Sequence, residues 1–280
     1  MQRPPSRHSI GRRALLGFGI LTVVTGSAAT LLHGSIEPGF EVPADPDTAQ
    51  RRIVLAGVSS WARHSDFGAA MADASTLLVM SGSSITGLRQ SSGQKAVAGL
   101  QEPIDGARRP VLVAVSIAVG AEDGGTHDVT TLLDEALARN FDGAFLECGA
   151  AFTAALKRGP AAQVKLAAIV ANLGDRVRQV NPQFIIILEN AAELTVDPRV
   201  HRLIDGVSKD NLLFGLDAAG TSNSRTDIIA ALHDLNRVKR SGRLVFVTEY
   251  LPMGATEIRS DALRTLRALG FVGRTAATNA

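Results

Sequence analysis

The chain has 280 residues, of which 45% are hydrophobic and 20% are charged. This apolar fraction excludes an intrinsically disordered chain, and a mean hydropathy of +0.14 excludes a polytopic membrane protein. The formal charge of +2 comes from four arginines within residues 1–34, and the rest of the chain is slightly acidic. The charge therefore indicates no nucleic-acid partner. Cys148 is the one cysteine, which excludes an internal disulfide and a cysteine-rich metal site.

Residues 1–34 have the composition of an export signal. The sequence GRR at 11–13 precedes an apolar run at 14–32, and small residues occupy 26–29. This order is typical of a secretory signal, and the paired arginines indicate the twin-arginine type. The run of about 19 residues is also long enough for an uncleaved membrane anchor. Both readings predict a periplasmic, extracellular or membrane-anchored protein on the outer side of the cytoplasmic membrane, with this segment as its only membrane contact.

The remainder predicts a linker and one α/β domain. Residues 35–52 contain three prolines among acidic and small residues, which is typical of a linker. Eight apolar runs follow, and near-continuous runs indicate parallel strands buried on both faces. The predicted strands are 53–57, 76–80, 111–117, 143–147, 184–189, 206–208, 244–248 and 271–272.

Helical patterns lie between most of these strands. They cover 128–139, with Asp128 as a predicted N-cap, then 161–180, 225–240 and 256–269. Alternation of strands and helices predicts a single (β/α)8 TIM barrel over residues 53–274. An open doubly wound sheet is the alternative, although the sequence has no glycine-rich dinucleotide or phosphate-binding motif.

Acidic residues follow several predicted strands. In a TIM barrel the carboxyl ends of the strands form the active site, and here they bring Glu122, Glu147, Glu189, Asp210 and Glu249 to one mouth. Hydrolysis of a glycosidic bond needs one protonated and one ionised carboxylate. The pattern therefore favours acid/base catalysis on a polysaccharide or oligosaccharide.

Each candidate also has a purely structural interpretation. Glu147 or Glu249 can be salt-bridged to an arginine, Asp210 can cap a turn, and Trp61 can be a packing residue. Aromatic residues make up only 4% of the chain, so we expect a short groove for two or three sugar units near Trp61 and Tyr250. The six histidines show no metal-ligand spacing, and the sequence predicts neither a metal nor an organic cofactor.

Four segments resemble the endo-α-1,4-polygalactosaminidase family of glycoside hydrolases. They are NFDGAFLE at 140–147, like the family's GFDGVYLD; NPQFIIILEN at 181–190, like NPxxxIIPQN; IDGVSKDNLLFG at 204–215, like IDGVGREDLFYG; and VFVTEY at 245–250, like VLVVDYL. The four occur in the family's order over most of 53–272. The chain departs from the family at four strands, where Glu147 replaces aspartate, Glu189 replaces glutamine, Ser81 stands in place of an aspartate, and Val115 stands in place of a tyrosine.

The resemblance implies a divergent TIM-barrel glycoside hydrolase that acts on an amino-sugar-containing polysaccharide. It implies Glu147 and Glu249 as the catalytic carboxylates, with Glu189 and Asp210 as stabilisers or substitutes. The predicted substrate-binding residues are Trp61, Asn190, Tyr250 and Glu122. A mouth rich in acids would suit a cationic amino sugar.

Two other functions are compatible with the sequence. A non-catalytic carbohydrate-binding barrel, serving exopolysaccharide assembly or export, would have its acids tied to arginines, whereas an enzyme would have carboxyl pairs across an open cleft. A lyase or aldolase would need a strand-end lysine, for which Lys209 is the only candidate. The sequence indicates no oligomeric state.

Overall fold

The computed structural model describes residues 46–66, 69–70, 73, 75–85, 90–101, 112–120 and 123–278. Eight strands run through this part of the chain: β1 Trp61–His64, β2 Leu77–Ser81, β3 Leu112–Ala118, β4 Gly143–Glu147, β5 Ile185–Glu189, β6 Gly206–Asp210, β7 Leu244–Pro252 and β8 Val272–Thr278. The helices are α1 Pro46–Leu55, α2 Gln90–Gln101, α3 Asp123–Ala138, α4 Gly149–Arg158, α5 Pro160–Val180, α6 Pro198–Leu203, α7 Arg225–Arg240 and α8 Thr256–Ala268.

The strands form one parallel sheet in chain order, from β1 to β8. The sheet curls so that its two edges meet, where the Trp61 indole N–H donates to the Val272 carbonyl at 3.2 Å. From β2 onward, helices connect successive strands, as parallel pairing requires. The predicted (β/α)8 TIM barrel is therefore confirmed.

Side-chain alternation along each strand divides the core into two parts. The barrel interior contains Trp61, Leu77, Val79, Leu112, Ala114, Phe145, Ile185, Ile187 and Phe246. The intervening residues point outward and pack beneath the helices in a second, larger cluster. Side chains two positions after an interior aromatic residue, toward the carboxyl end of the strand, therefore face the barrel mouth.

The start of the domain differs from the prediction. Residues 53–55 are the end of α1, and the first strand is Trp61–His64. The run at 53–57 was predicted as a strand because it is apolar. In the structure its Leu55 is buried against the interior cluster from the end of a helix. Residues 46–52, predicted as linker, also belong to α1. Arg51 there is 2% exposed and donates to Asp205 Oδ1 at 2.8 Å, so the helix is fastened to the barrel.

Other element boundaries shift by less. Helix α3 begins at Asp123, so Asp128 lies inside the helix and is not its N-cap. Strand β6 runs to Asp210 and β8 runs from Val272 to Thr278, both longer than predicted. Helix α7 has the predicted bounds, and the Ser224 hydroxyl accepts a hydrogen bond from the Asp227 N–H as its N-cap.

The predicted leader at 1–34 lies outside the described residues. Within the part of the chain that the structure describes, none of the helices combines the length and apolarity needed to span a bilayer.

Candidate active site at the barrel mouth

An aromatic layer closes the barrel below the mouth. The Trp61 ring stacks on Phe145 with centroids 5.5 Å apart, and it meets Phe246 edge-on at 5.6 Å. Trp61 is only 3% exposed, so its faces are taken up by packing. The predicted role as a sugar platform is not compatible with this burial.

Three carboxylates stand above this layer on neighbouring strands. Glu147 ends β4, Glu189 ends β5 and Asp210 ends β6. Glu147 pairs in register with Glu189, and Glu189 pairs with Ser208, so Asp210 lies two residues further toward the mouth. The side chains of all three acids face inward. Their positions at strand ends predicted this placement at the mouth.

Arg63 connects two of these acids. Its Nη2 donates to Glu189 Oε2 at 2.5 Å, and its Nη1 lies 3.4 Å from Glu147 Oε1. Glu147 also accepts a short hydrogen bond from the Ser116 hydroxyl. The Glu147 side chain is 40% exposed, whereas the Glu189 side chain is 3% exposed. One carboxylate therefore faces solvent and the other lies beneath it.

The environment of Glu189 favours its neutral form. Burial raises the pKa of Glu189 to about 7, and the attraction of Arg63 only partly offsets that effect. Repulsion by Asp210 and Glu147 raises the pKa further. A carboxyl group with this pKa exchanges a proton near neutral pH, as acid/base catalysis requires.

Asp210 is oriented by Asn190. The Asn190 amide donates to Asp210 Oδ2 at 2.9 Å, and its Oδ1 accepts from the Asp210 N–H at 2.8 Å. Asn190 has a left-handed backbone (φ 53°), and so does Asn211 (φ 54°), whose Oδ1 accepts from the Tyr250 N–H at 3.2 Å. Asn190, predicted to bind substrate, thus contacts a candidate catalytic acid directly.

Glu249 is not part of the mouth. On β7 the residues Thr248 and Tyr250 share the inward face with Phe246, so Glu249 points outward and is fully buried. Its carboxylate accepts hydrogen bonds from the Leu213 and Phe214 N–H groups at 2.9 and 3.2 Å. Burial raises the pKa of Glu249 to about 7. The geometry gives this residue a role in holding the loop after β6, instead of the catalytic role expected from sequence.

Two arginines at the mouth were not singled out from sequence. Arg63 follows Trp61 by two positions and Arg274 follows Val272 by two, so both belong to the inward-facing set. The Arg274 guanidinium carbon lies 4.5 Å from the Trp61 ring centroid, and the corresponding distance for Arg63 is 6.0 Å. The alternation of inward and outward side chains along β1 and β8 could have identified both arginines. However, the sequence prediction placed β1 at 53–57 and ended β8 at residue 272, so neither arginine fell within a predicted strand. The described mouth thus holds three acids and two arginines.

Other predicted residues fall elsewhere. Glu122 lies outside the described residues. Cys148 is fully buried, and that burial raises the pKa of its thiol well above the usual range. Lys209 lies between the inward-facing Ser208 and Asp210, and thus on the outer face of β6. Among the described residues, no group of three or more metal-ligating side chains could hold a metal ion.

Comparisons with known proteins bear on the fold. The glycoside hydrolase domain of PelA from Pseudomonas aeruginosa has a similar structure, with a TM-score of 0.62 at 14% sequence identity, covering 80% of this chain and 96% of that domain. A variant of the same domain gives the same TM-score at 15% identity. The chain shares the barrel fold of a glycoside hydrolase domain.

The sequence comparisons are more limited. No protein-family model matches the chain. An uncharacterized protein of Deinococcus radiodurans is 29% identical over 140 residues, which are 50% of this chain and 44% of that protein. The match therefore spans less than half the length of this relative.

Proposed function

We propose that the protein is a glycoside hydrolase that acts on an amino-sugar-containing polysaccharide, with Glu147 and Asp210 as its two catalytic carboxylates. The observation that carries this proposal is the arrangement of three inward acids on consecutive strands. The outer two, Glu147 and Asp210, are partly exposed, whereas Glu189 between them is buried against Arg63. Two acids can therefore contact substrate while the third tunes their charge.

The spacing of the pair suits the reaction. Neighbouring strands are about 4.8 Å apart, and Asp210 lies two residues, or about 6.6 Å, further toward the mouth than Glu147, so the backbones of the two residues are about 12 Å apart. Side chains that converge from that distance can reach the ~5–9.5 Å separation used by retaining and inverting enzymes. One carboxyl group would protonate the leaving oxygen, and the other would act as nucleophile or as the base for water. Because Glu189 has a pKa of about 7, it can share a proton with the mouth at neutral pH.

The experiment is reducing-end release by the purified protein on a panel of polysaccharides that includes partly deacetylated galactosaminogalactan. We expect Glu147→Gln and Asp210→Asn each to lower kcat by at least about 1,000-fold while both variants remain folded by circular dichroism. Glu135→Gln, a change on the outer helix α3, is the matched control and should retain full activity. Activity in both active-site variants would move the site elsewhere.

Rescue by azide assigns the roles of the two acids. In an alanine variant of the nucleophile or base, added azide can replace the missing group, whereas in a variant of the acid a substrate with a good leaving group restores the rate. We expect one of Glu147→Ala and Asp210→Ala to respond to azide and the other to the activated substrate. The same response from both variants would contradict a division of labour between them.

A non-catalytic carbohydrate-binding barrel is the second candidate. The observation that favours it is Arg63, which ion-pairs Glu147 and Glu189 and so reduces the free negative charge at the mouth. This function predicts saturable binding of oligosaccharides with no reducing-end release from any member of the panel. Release by the parent protein that disappears in Glu147→Gln excludes it.

We also propose that the chain is exported, on the basis of the arginine pair at 12–13 and the apolar run at 14–32. Substitution of both arginines by lysine should abolish transport by the twin-arginine route while leaving synthesis unchanged. Fractionation of cells that express the full chain tests this. Equal extracytoplasmic amounts of parent and variant would contradict that route.

A further inference from the structure

We propose that Arg274, with Thr248 and Tyr250, forms a subsite that binds the carboxylate of an acidic sugar unit next to the scissile bond. This inference rests on the proposed function, because it concerns the substrate of the same mouth. It narrows the substrate from a uniformly cationic amino-sugar polymer to one that also carries acidic units.

The first observation is the position of Arg274. It follows Val272 by two residues and so shares the inward face of β8. Its Nε donates to Thr248 Oγ1 at 3.1 Å, and its guanidinium carbon lies 4.5 Å from the Trp61 ring centroid. One hydrogen bond and one aromatic face therefore hold the guanidinium in place at the mouth.

The second observation is its lack of a carboxylate partner. Arg63 contacts the same ring but is bound to Glu147 and Glu189. Among the described residues, no Asp or Glu oxygen lies within 4.0 Å of the Arg274 guanidinium. Its polar neighbours are the hydroxyl groups of Thr248 and Tyr250. A half-buried guanidinium without a counter-ion gains more from binding an anion than an exposed one does, because its desolvation has already occurred.

The charges nearby support this conclusion. Burial lowers the pKa of Arg274, and repulsion by Arg63 adds to that effect. Asp210 attracts Arg274, but its carboxylate is already hydrogen-bonded to the Asn190 amide. Among the described residues, Arg274 therefore has no carboxylate in direct contact, and Asp210 attracts it only from a distance.

The third observation is register. Asp210 pairs with Thr248, and Thr248 pairs with Arg274. These three residues therefore stand at one level on consecutive strands, and the backbones of Asp210 and Arg274 are about 10 Å apart. That distance places a group bound by Arg274 on the sugar unit adjacent to the one that Asp210 serves. A planar guanidinium binds a carboxylate through two parallel hydrogen bonds, which favours a uronic acid over a neutral sugar.

The test uses a pair of ligands that differ in charge alone. α-1,4-Linked trigalacturonate and its fully methyl-esterified form have the same rings and linkage, but the ester has no carboxylate. Binding is measured by calorimetry at low salt on the full chain carrying Glu147→Gln, so that turnover does not interfere. We expect trigalacturonate to bind at least about tenfold more tightly than the ester.

Variants of Arg274 then locate the preference. Arg274→Gln should abolish it, and Arg274→Lys should retain part of it because the charge remains but the two-pronged geometry does not. Arg264→Gln, on the exposed face of α8, is the matched control and should leave the preference unchanged. Equal affinity for the acid and its ester, no binding of either, or a preference that survives Arg274→Gln would each overturn the inference.

The result is separable from the proposed function. Carboxylate-selective binding with no hydrolysis of any polysaccharide leaves the subsite intact and removes the hydrolase. Hydrolysis of amino-sugar polymers without carboxylate selectivity keeps the hydrolase and removes the subsite.

Discussion

The Arg63 guanidinium lies between Glu147 and Glu189, with Nη2 at 2.5 Å from Glu189 Oε2 and Nη1 at 3.4 Å from Glu147 Oε1. It covers the aromatic layer, 5.8 Å from the Phe145 ring centroid. Because one cation serves two acids, the charge on either acid depends on the other. The ion pair therefore links the stability of the barrel to the protonation of its mouth.

Removal of Arg63 should destabilise the protein in a pH-dependent way. Arg63→Met leaves Glu189 buried without its partner, which we expect to lower the free energy of unfolding by about 2–3 kcal/mol at pH 8. The loss should be smaller at pH 6, where protonation of Glu189 removes the uncompensated charge. Urea unfolding followed by circular dichroism measures both values. Arg199→Met, at an exposed pair with Asp197, is the control and should leave stability nearly unchanged at both pH values. An equal loss from Arg63→Met at both pH values would contradict the prediction.

The parent protein should lose stability as the pH rises from 6.5 to 8. Burial raises the pKa of Glu189 and Glu249 to about 7, from an ordinary value of 4.5. In this range the folded state holds protons that the unfolded state has released, so the free energy of unfolding falls as the pH rises through 7, by about 1.5 kcal/mol in total. Below pH 6.5 His201 opposes this trend, because burial lowers its pKa to about 4.

Glu249→Gln tests whether Glu249 contributes to this decline in stability. The variant should be less stable overall, because one backbone N–H loses its charged acceptor, but it should show about half of the parent's decline between pH 6.5 and 8. Chemical unfolding at three pH values in that window gives the slope. An unchanged slope would show that Glu249 does not titrate there.

Asn190 should act on catalysis through Asp210. Asn190→Ala removes two hydrogen bonds to Asp210 and places a residue with a Cβ but no amide at a φ of 53°. We expect kcat to fall by about 10–100-fold with a smaller change in KM, because a displaced carboxylate misaligns the reacting groups. Asn190→Gly relieves the backbone strain but not the lost amide, so it should recover stability and not kcat. Recovery of both would assign the whole effect to the backbone.

Trp61 should report on the core and not on sugar binding. It is the only tryptophan, and its ring is enclosed by Phe145, Phe246 and the two arginines. Its fluorescence should be resistant to quenching by acrylamide, and Trp61→Ala should lower the free energy of unfolding by about 3–5 kcal/mol. Trp61→Phe keeps a ring but removes the N–H bond to Val272, so its loss should be smaller. Ready quenching of Trp61 in the folded protein would instead indicate that the ring is exposed to solvent.

The sequence by itself determined the fold class and most of the strands. Near-continuous apolar runs separated by helical patterns mark parallel strands covered on both faces, and the run at 143–147 coincides with β4. The position of an acid at the end of such a run placed Glu147, Glu189 and Asp210 at the mouth, but the same rule also placed Glu249 there. That inference needed only chain order and the barrel rule.

The tertiary structure alone decided which side chains face inward and which charges meet. Side chains alternate with a period of two, so an uncertainty of one residue moves a side chain to the opposite face. Strands that are apolar on both faces show no alternation of polar and apolar residues, so their sequence does not indicate which side chains face inward. Glu249 and Asp210 were therefore equivalent in sequence, but one holds a loop outside the barrel and the other faces its mouth. Arg274 lies over the Trp61 ring only because the sheet curls until β8 is next to β1. No local pattern records the hydrogen bond between Trp61 and Val272, which are 211 positions apart in the chain.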